Sequence, residues 1–152
     1  MNTKIIDPFV DAVSNILPQV GLNDIKKSEV KVKDRNLKSP GVVIILGIVG
    51  DVKGTVVYGM KIDDAKKIAS KMMMGMPVNE FDEMAKSAIS ELSNMITANA
   101  SIKFCNEGID TNISTPTLIC GEQSEINMSY EEVICVELEA DNIPFEVNVC
   151  FK

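Results

Sequence analysis

Three segments of the chain space their apolar residues as an amphipathic helix does, which predicts helices over residues 5–17, 63–74 and 79–106. In the first helix, Asp7 is the predicted N-cap and Pro8 stands in the first turn, where proline fits a helix. Asn79, followed three residues later by Asp82, is the predicted cap of the third helix. Residues that stop a helix follow all three segments, namely Pro18, then Gly75 with Pro77, and finally Gly108.

Most of the remaining apolar residues follow strand patterns. Residues 42–49 form a continuous β-branched run that predicts a buried strand, and residues 28–33 alternate as an edge strand does. A turn over 50–54 returns the chain through 55–62, which predicts a hairpin. Further strands are predicted at 111–120, 126–130, 133–140 and 145–151.

The first and third helices resemble each other in sequence. VDAVSNIL at 10–17 aligns with ISELSNMI at 89–96 through a shared Ser-Asn pair and the same apolar rhythm, and a pair of strands is predicted after each. We therefore expect an internal duplication. The whole pattern predicts one domain over residues 1–152 of the α/β class (α+β type), in which long helices pack on an antiparallel sheet built from two duplicated helix–strand–strand halves.

Composition narrows the chemistry more than it narrows the fold. The 152 residues include no histidine. This excludes Ser-His-Asp and Cys-His nucleophile systems, histidine acid–base catalysis, the HExxH metal helix and most catalytic zinc sites. Any reaction must therefore use carboxylates, amides, hydroxyls, lysines or the groups of a partner.

The chain is acidic, with 15 Lys and Arg against 22 Asp and Glu and a formal net charge of −7. Arg35 is its single arginine, so the chain lacks the cationic surface that nucleic-acid binding needs. No apolar run approaches the roughly 18 residues of a membrane span, and the first residues have no signal-peptide pattern. We therefore expect a cytoplasmic protein that binds neither nucleic acid nor a membrane.

The four cysteines recur every fifteen residues, without a CxxC pair, at Cys105, Cys120, Cys135 and Cys150. Isolated cysteines of this kind are more often small buried hydrophobes than metal ligands or a disulfide framework. We therefore expect them to fill the core and expect no metal site.

The long third helix carries the candidate site. At about 100° per residue, seven apolar residues fall on one stripe that should face the core, namely Phe81, Met84, Ala85, Ala88, Leu92, Met95 and Ile96. Ser87, Glu91, Asn94 and Ala98 lie within about 60° of one another, centred about 120° from that stripe. This ridge presents a hydroxyl, a carboxylate and a carboxamide, with a small residue one turn beyond. On pattern alone, a solvated helix face without a function is the commoner explanation.

Residues 82–100, DEMAKSAISELSNMITANA, resemble the signature helix of the CheC/CheX/FliY chemotaxis phosphatases. The pattern of that family is Asp or Ser, three residues, Glu, two residues, Asn, and then a proline about twenty-two positions later. Ser87, Glu91 and Asn94 match it in order, and Pro116 follows Asn94 by twenty-two positions. The predicted hairpin and the Met-Gly helix end match as well, so the similarity covers most of the chain.

The first helix should hold the equivalent ridge of the duplicated half. In the first helix, Asp7 and Asp11 occupy the positions that Ser87 and Glu91 occupy in the third helix. Ser14 replaces the asparagine. One functional ridge beside one degenerate ridge is similar to CheX, whereas CheC has two functional ridges. The resemblance therefore carries catalytic roles to the third helix only.

The resemblance implies a CheC-like fold and a phosphatase that acts on the aspartyl-phosphate of a CheY-like response-regulator receiver. By this resemblance Asn94 orients the hydrolytic water and Glu91 pairs with the receiver's lysine, while Ser87, Ala98 and Pro116 support docking. It also implies no cofactor of the chain's own, Mg²⁺ on the partner receiver, and a homodimer that works in chemotaxis or another two-component pathway.

Two alternatives stay open at this point. The chain could be a non-catalytic receiver-binding or flagellar-switch-associated module that keeps the helix only for docking. It could also be an unrelated α/β domain, although the joint match of helix, proline and hairpin disfavours that reading. Turnover of phosphorylated receiver by sub-stoichiometric protein distinguishes an enzyme from a binding module.

Overall fold

The computed structural model of the protein describes residues 3–151, with side chains for 5–130 and 132–151. Within this range the chain forms three α-helices, α1 (Asp7–Ile16), α2 (Ile62–Met72) and α3 (Glu83–Asn106). The strands are β1 (Lys26–Lys38), β2 (Val42–Gly50), β3 (Gly54–Met60), β4 (Thr111–Ile113), β5 (Thr117–Cys120), β6 (Glu125–Ala140) and β7 (Ile143–Phe151). Short 3-10 turns, Thr3–Ile6 and Leu17–Val20, flank α1. The fold class predicted from the sequence is therefore confirmed.

All the strands join one antiparallel sheet in the order β1-β6-β7-β3-β2-β4, with β5 also paired to β2. If β4 and β5 are counted as one interrupted strand, each half of the chain contributes three strands, β1–β3 from the first half and β4–β7 from the second. The two sets of strands occupy equivalent positions in the sheet. Each half then supplies its first strand to an edge, its second strand next to the opposite edge, and its third strand to the centre. This arrangement agrees with the expected duplication. With β4 and β5 counted as one strand, α1 and α3 each precede three strands and not the predicted pair.

The predicted strands are otherwise found, with different limits. The edge strand β1 extends well beyond residues 28–33, and the two segments predicted at 126–130 and 133–140 are one continuous strand, β6. Conversely, the segment predicted at 111–120 is interrupted after Ile113 and resumes at Thr117. That interruption lies beside the candidate site.

The ends of α1 differ from the prediction. Asp7 is the first helical residue rather than the N-cap, because Ile6 precedes it in helical conformation and makes no side-chain cap. Pro8 does occupy the first turn. Pro18 does not end helical structure, since it lies at the start of the 3-10 turn, where a missing N–H costs no hydrogen bond. The chain leaves the helix at Gly21, whose φ of 89° is left-handed.

The N-cap of α3 is Asp82 and not Asn79. The Asp82 carboxylate accepts a hydrogen bond from the backbone N–H of Ala85 at 2.9 Å, which satisfies one of the unpaired donors of the first turn. α2 begins at Ile62, one residue before the predicted Asp63, and Met74 and Gly75 have positive φ angles just beyond its end. The Asp82 cap fixes where α3 starts.

The sheet separates two apolar cores, because alternate strand residues point to opposite faces. The larger core lies between the sheet and the helices and includes Phe9, Phe104 and Phe151, whose ring centroids are 5.9–6.3 Å apart. A smaller cluster on the opposite face contains Leu37, Val43, Val57, Met128, Val133 and Cys150.

The cysteines are free thiols of two kinds. Cys135 and Cys150 are buried as predicted, whereas Cys105 and Cys120 are exposed and so do not fill the core.

Candidate active site

The face that α3 turns to the core is rotated by about 90° from the predicted apolar stripe. The buried residues of the helix are Ala85, Ile89, Leu92, Ser93, Ile96, Thr97, Ala100 and Phe104. Of the predicted stripe, Ala85, Leu92 and Ile96 are buried, Phe81, Ala88 and Met95 are half-buried, and Met84 is 67% exposed. The prediction was therefore right for part of the stripe and wrong for its centre.

Two features explain the rotation. The apolar residues Ile89, Ala100 and Phe104 of the buried face lie outside the predicted stripe, and two hydroxyl residues are buried as well. Ser93 donates to the carbonyl of Ile89 at 2.9 Å, and Thr97 donates to the carbonyl of Ser93 at 2.8 Å. Because these bonds satisfy the hydroxyl groups inside the helix, both residues are buried without an unpaired polar atom. A hydrophobicity pattern counts Ser93 and Thr97 as polar, which adds to the displacement of the predicted core face.

The rotation turns the predicted ridge farther from the core than expected. Ser87, Glu91, Asn94 and Ala98 are centred about 160° from the middle of the buried face, nearly opposite to it. Ser87 and Glu91 are exposed, and Asn94 and Ala98 are half-buried.

A groove of about 680 Å³ runs along this side of α3, between the helix and the β4–β5 edge of the sheet. The helix contributes Glu83, Lys86, Ser87, Ser90, Glu91 and Asn94, and the opposite wall consists of Thr115, Pro116, Leu118 and Cys120. The structure thus places Pro116, which is distant in sequence, in the same groove as Ser87, Glu91 and Asn94 of α3. A smaller depression of about 420 Å³ at the start of β1 is lined by lysines and acidic residues together.

Ala98 is the exception among the predicted site residues, because it does not line the groove. One turn beyond it, the Ser101 and Thr111 hydroxyl groups lie 2.6 Å apart and join α3 to β4. Helix and sheet edge therefore meet at this end, and the groove opens toward the N-terminal half of α3. Ala98 lies on the same ridge one turn beyond Asn94, and its docking role stays a prediction.

Glu91 and Asn94 are free to contact a partner. Among the described side chains, neither makes a hydrogen bond or an ion pair with another residue. The cation in the groove wall, Lys86, lies 3.6 Å from the carboxylate of Glu83 on the previous turn. That pair is largely exposed and contributes little to stability. Among the described side chains, no lysine forms an ion pair with the Glu91 carboxylate.

Several residues of the groove wall were not among the predicted site residues. Glu83 and Ser90 continue the same ridge at helical spacing, so the wheel could have included them. Thr115, Leu118 and Cys120 gave no such signal, because only the sheet brings the β5 edge beside the helix.

The corresponding ridge of α1 is exposed at Asp7, Asp11 and Ser14. The burial patterns of α1 and α3 match when Phe9 is aligned with Ile89, which places those three residues opposite Ser87, Glu91 and Asn94. The shared Ser-Asn pair belongs to an alignment shifted by one residue and is therefore not the structural correspondence. Asn15 instead donates a side-chain hydrogen bond to Asn99 of α3, at 3.4 Å.

The pKa shifts of three groups outside the groove have structural causes. Burial raises the pKa of Tyr58 and of Cys135. Burial alone would lower the pKa of Lys33, but the carboxylate of Glu146, 3.2 Å away, raises it overall. Within the described part of the chain, no group of three or more Cys, Asp or Glu could hold a metal ion.

A family model described as Chemotaxis phosphatase CheX matches residues 42–139, which include Glu91, Asn94 and Pro116. The chain belongs to the CheX family. The CheY-P phosphatase CheX of Thermotoga maritima is 38% identical over 77 residues, which are 51% of this chain and 50% of that protein. The match thus spans about half the length of this curated relative.

Solved structures agree over nearly the whole chain. CheX from Desulfovibrio desulfuricans has a TM-score of 0.87 at 23% identity, with 98% of this chain and 99% of that chain covered. A chain of the CheX-CheY-BeF3-Mg²⁺ complex from Borrelia burgdorferi has a TM-score of 0.83 at 27% identity, with 99% of each chain covered. Thermotoga maritima FliY has a TM-score of 0.68 at 19% identity, covering 95% of this chain and 85% of that chain, and shows a related fold.

Proposed function

We propose that this protein hydrolyses the aspartyl-phosphate of a CheY-like response-regulator receiver. The observation that carries the proposal is the groove in which Glu91, Asn94 and Pro116 meet, within the segment that matches the CheX family. Two relatives support the choice of substrate, since one is named a CheY-P phosphatase and another is solved as a CheX-CheY complex.

Asn94 is the proposed water-orienting residue. Phosphoryl transfer depends mainly on positioning and on electrostatic stabilisation, so a carboxamide that orients water in line with the phosphorus needs no proton-accepting side chain nearby. The amide offers both a donor and an acceptor to one water molecule. Its half-buried position on a helix limits the space for its side chain, which favours a single orientation.

Glu91 is the proposed docking residue. It lies on the same ridge, nearly one turn before Asn94, and its carboxylate is exposed and free of partners among the described side chains. A lysine of the receiver could form a charge-assisted hydrogen bond with it. That contact would fix the position of the receiver along the helix and so bring Asn94 to the phosphoryl group.

Recognition must be local. With a net charge of −7, this chain cannot attract an acidic receiver face over a long distance. The short-range contacts available in the groove are the Glu91 carboxylate and the half-buried apolar surfaces of Pro116 and Leu118. We therefore expect modest affinity that increases when the receiver is phosphorylated.

In this proposal Mg²⁺ belongs to the receiver, where it would neutralise the phosphoryl oxygens. The present chain contributes an amide, a carboxylate and the walls of a groove. None of these groups needs a cofactor of the chain's own to do its part.

A turnover experiment tests the proposal and separates it from the binding-module alternative. Phosphorylated receiver, with Mg²⁺, is mixed with a small molar fraction of the protein, and loss of the phosphoryl group is followed. Complete clearance that is faster than the receiver's own loss of the phosphoryl group identifies an enzyme, whereas a module that only sequesters the receiver breaks no bond and leaves that loss unaccelerated. No acceleration at all would contradict the proposal.

A matched pair of variants makes this test specific. The double variant Glu91→Ala, Asn94→Ala should lose activity. Glu132→Ala, Asn127→Ala removes the same two residue types from exposed positions of β6 and should retain it. Equal activity of the two double variants would remove the groove from the mechanism.

Two further proposals concern the state of the protein in the cell. Homodimerisation is proposed from the family resemblance, and both sheet edges, at β1 and at β4–β5, are available for it. Sedimentation equilibrium would decide, with a mass of 16.6 kDa expected for a monomer. A cytoplasmic location, where receivers work, is also proposed. None of the described helices is both long and apolar enough to cross a membrane.

A further inference from the structure

The wall of the groove opposite α3 contains a β-bulge. Ile48 of β2 pairs with Ile113 of β4, and Ile45 pairs with Thr117 of β5. Two residues of β2 therefore face three residues of the edge strand, 114–116. An extra residue in one strand bends that strand locally and changes where its side chains point.

Ser114 is hydrogen-bonded to Gly47 of β2 through both its backbone N–H and its side-chain hydroxyl. Its backbone N–H donates to the carbonyl of Gly47 at 2.9 Å, as in a regular ladder. The N–H of Gly47 donates to the Ser114 hydroxyl oxygen at 2.8 Å, so the side chain replaces the carbonyl that a regular strand would offer. The hydroxyl in turn donates to the carbonyl of Thr115 at 3.2 Å.

Because the Ser114 side chain takes the place of a backbone acceptor, the next two residues, Thr115 and Pro116, are not paired in the sheet. Thr115 and Pro116 then form the part of the wall that lies opposite the helix. Proline suits this position because it has no N–H to leave unpaired at a sheet edge. Without the Ser114 hydroxyl, the Gly47 N–H would lose its acceptor, and the bulge would keep only the backbone bond from the Ser114 N–H to Gly47.

We infer that Ser114 is a positioning residue, which fixes Thr115 and Pro116 against the groove and thereby sets the width of the surface on which the receiver docks. The inference rests on the proposed function for its consequence in catalysis, but not for its structural part. Ser114 touches neither water nor phosphoryl group in this scheme, so its loss should weaken docking more than the chemical step.

Three variants test the inference. Ser114→Ala removes the hydroxyl, and Ser114→Thr retains it. Ser129→Ala is the matched control, because Ser129 is an exposed strand serine outside the groove whose hydroxyl lies 3.3 Å from that of Thr55. The measurements are amide hydrogen exchange at Gly47, and KM and kcat for receiver dephosphorylation.

The loss of one hydrogen bond predicts that Ser114→Ala accelerates exchange at Gly47 about fivefold and raises KM by a similar factor, with kcat changed less than about twofold. Ser114→Thr and Ser129→Ala should resemble the wild type in both measurements. Unchanged exchange at Gly47 in Ser114→Ala would overturn the inference, and so would a loss that falls on kcat alone or that the threonine does not restore.

Failure of the proposed function and failure of the role of Ser114 give different results. A wild-type protein that does not dephosphorylate any receiver would overturn the proposed function. Exchange at Gly47 would still decide whether Ser114 holds the bulge, because that measurement needs no receiver.

Discussion

The phenol oxygen of Tyr58 lies 2.7 Å from the hydroxyl oxygen of Thr97, fully buried between β3 and α3. Since the single proton of the Thr97 hydroxyl is donated to the carbonyl of Ser93, the phenol must be the donor in this pair. The bond joins the centre of the sheet to the buried face of the helix that carries Glu91 and Asn94. It therefore helps to fix the rotation of α3 about its axis.

The two partners of this bond should respond unequally to substitution. Tyr58→Phe leaves Thr97 still bonded to Ser93 and should lower the free energy of unfolding by about 1 kcal/mol. Thr97→Val leaves a buried phenol without an acceptor and should cost more, about 2–3 kcal/mol.

Urea unfolding of both single variants and of the double variant would measure the difference. Tyr130→Phe is the control, because Tyr130 is half-buried and makes no side-chain hydrogen bond among the described residues. Equal losses in Tyr58→Phe and Tyr130→Phe would contradict the role of the bond.

Tyr58 should also make stability depend on alkaline pH. Burial raises the pKa of its phenol above the value of about 10 that it has in an unfolded chain. The folded state then retains its proton where the unfolded state has lost it, so this contribution is fully present below pH 10 and is lost as pH rises above it.

The expected loss is up to about 1.4 kcal/mol per pH unit, and it should disappear in Tyr58→Phe. Unfolding of the wild type and the variant at pH 8, 10 and 11 gives the difference between them, which removes the common contribution of the lysines. Parallel pH dependence of the two proteins would show that the phenol does not titrate in this way.

Asn94→Ala should reduce kcat for receiver dephosphorylation by about 10²–10³-fold, the order observed when one preorganised polar group is removed from a transition state. Binding of the phosphorylated receiver should change much less. Asn127→Ala, at an exposed position of β6, provides the control. Retained hydrolysis in Asn94→Ala would rule out the assigned role.

Glu91→Gln should act on docking. Loss of a charge-assisted contact should raise KM by about tenfold, and it should also weaken the dependence of KM on salt. Glu132→Gln on β6 changes the net charge equally and should leave both unchanged. A fall in kcat at constant KM would instead indicate that Glu91 acts in the chemical step.

Because the chain has no histidine, we expect no ionisation of its own side chains to change the dephosphorylation rate near neutral pH. Histidine is the side chain whose ordinary pKa lies between about pH 5.5 and 7, and this chain has none. Activity measured against a receiver whose own titration is known should show no further ionisation in that interval. An additional step near pH 6.5 would require a group that the scheme does not contain.

Local patterns predicted the elements well. The β-branched run at 42–49 and its hairpin return depend on neighbouring residues, and both strands form as expected, with β3 at the centre of the sheet and β2 beside it. The spacing of Ser87, Glu91 and Asn94 also requires only that the segment be helical. The family resemblance then joined Pro116 to them, and Pro116 lies in the opposite wall of the same groove.

The sequence by itself determined that a hydroxyl, a carboxylate and a carboxamide share one side of a helix, and that no histidine assists them. Only the tertiary structure decided which side of that helix faces the core. Ser93 and Thr97 are buried because their hydrogen bonds are satisfied locally and by Tyr58, which no hydrophobicity pattern reveals. Likewise, the second wall of the groove exists because Gly47 and Ser114, 67 residues apart, pair across a bulge at the sheet edge. Contacts between residues so distant in sequence follow from how the strands assemble, and the site is formed by that assembly.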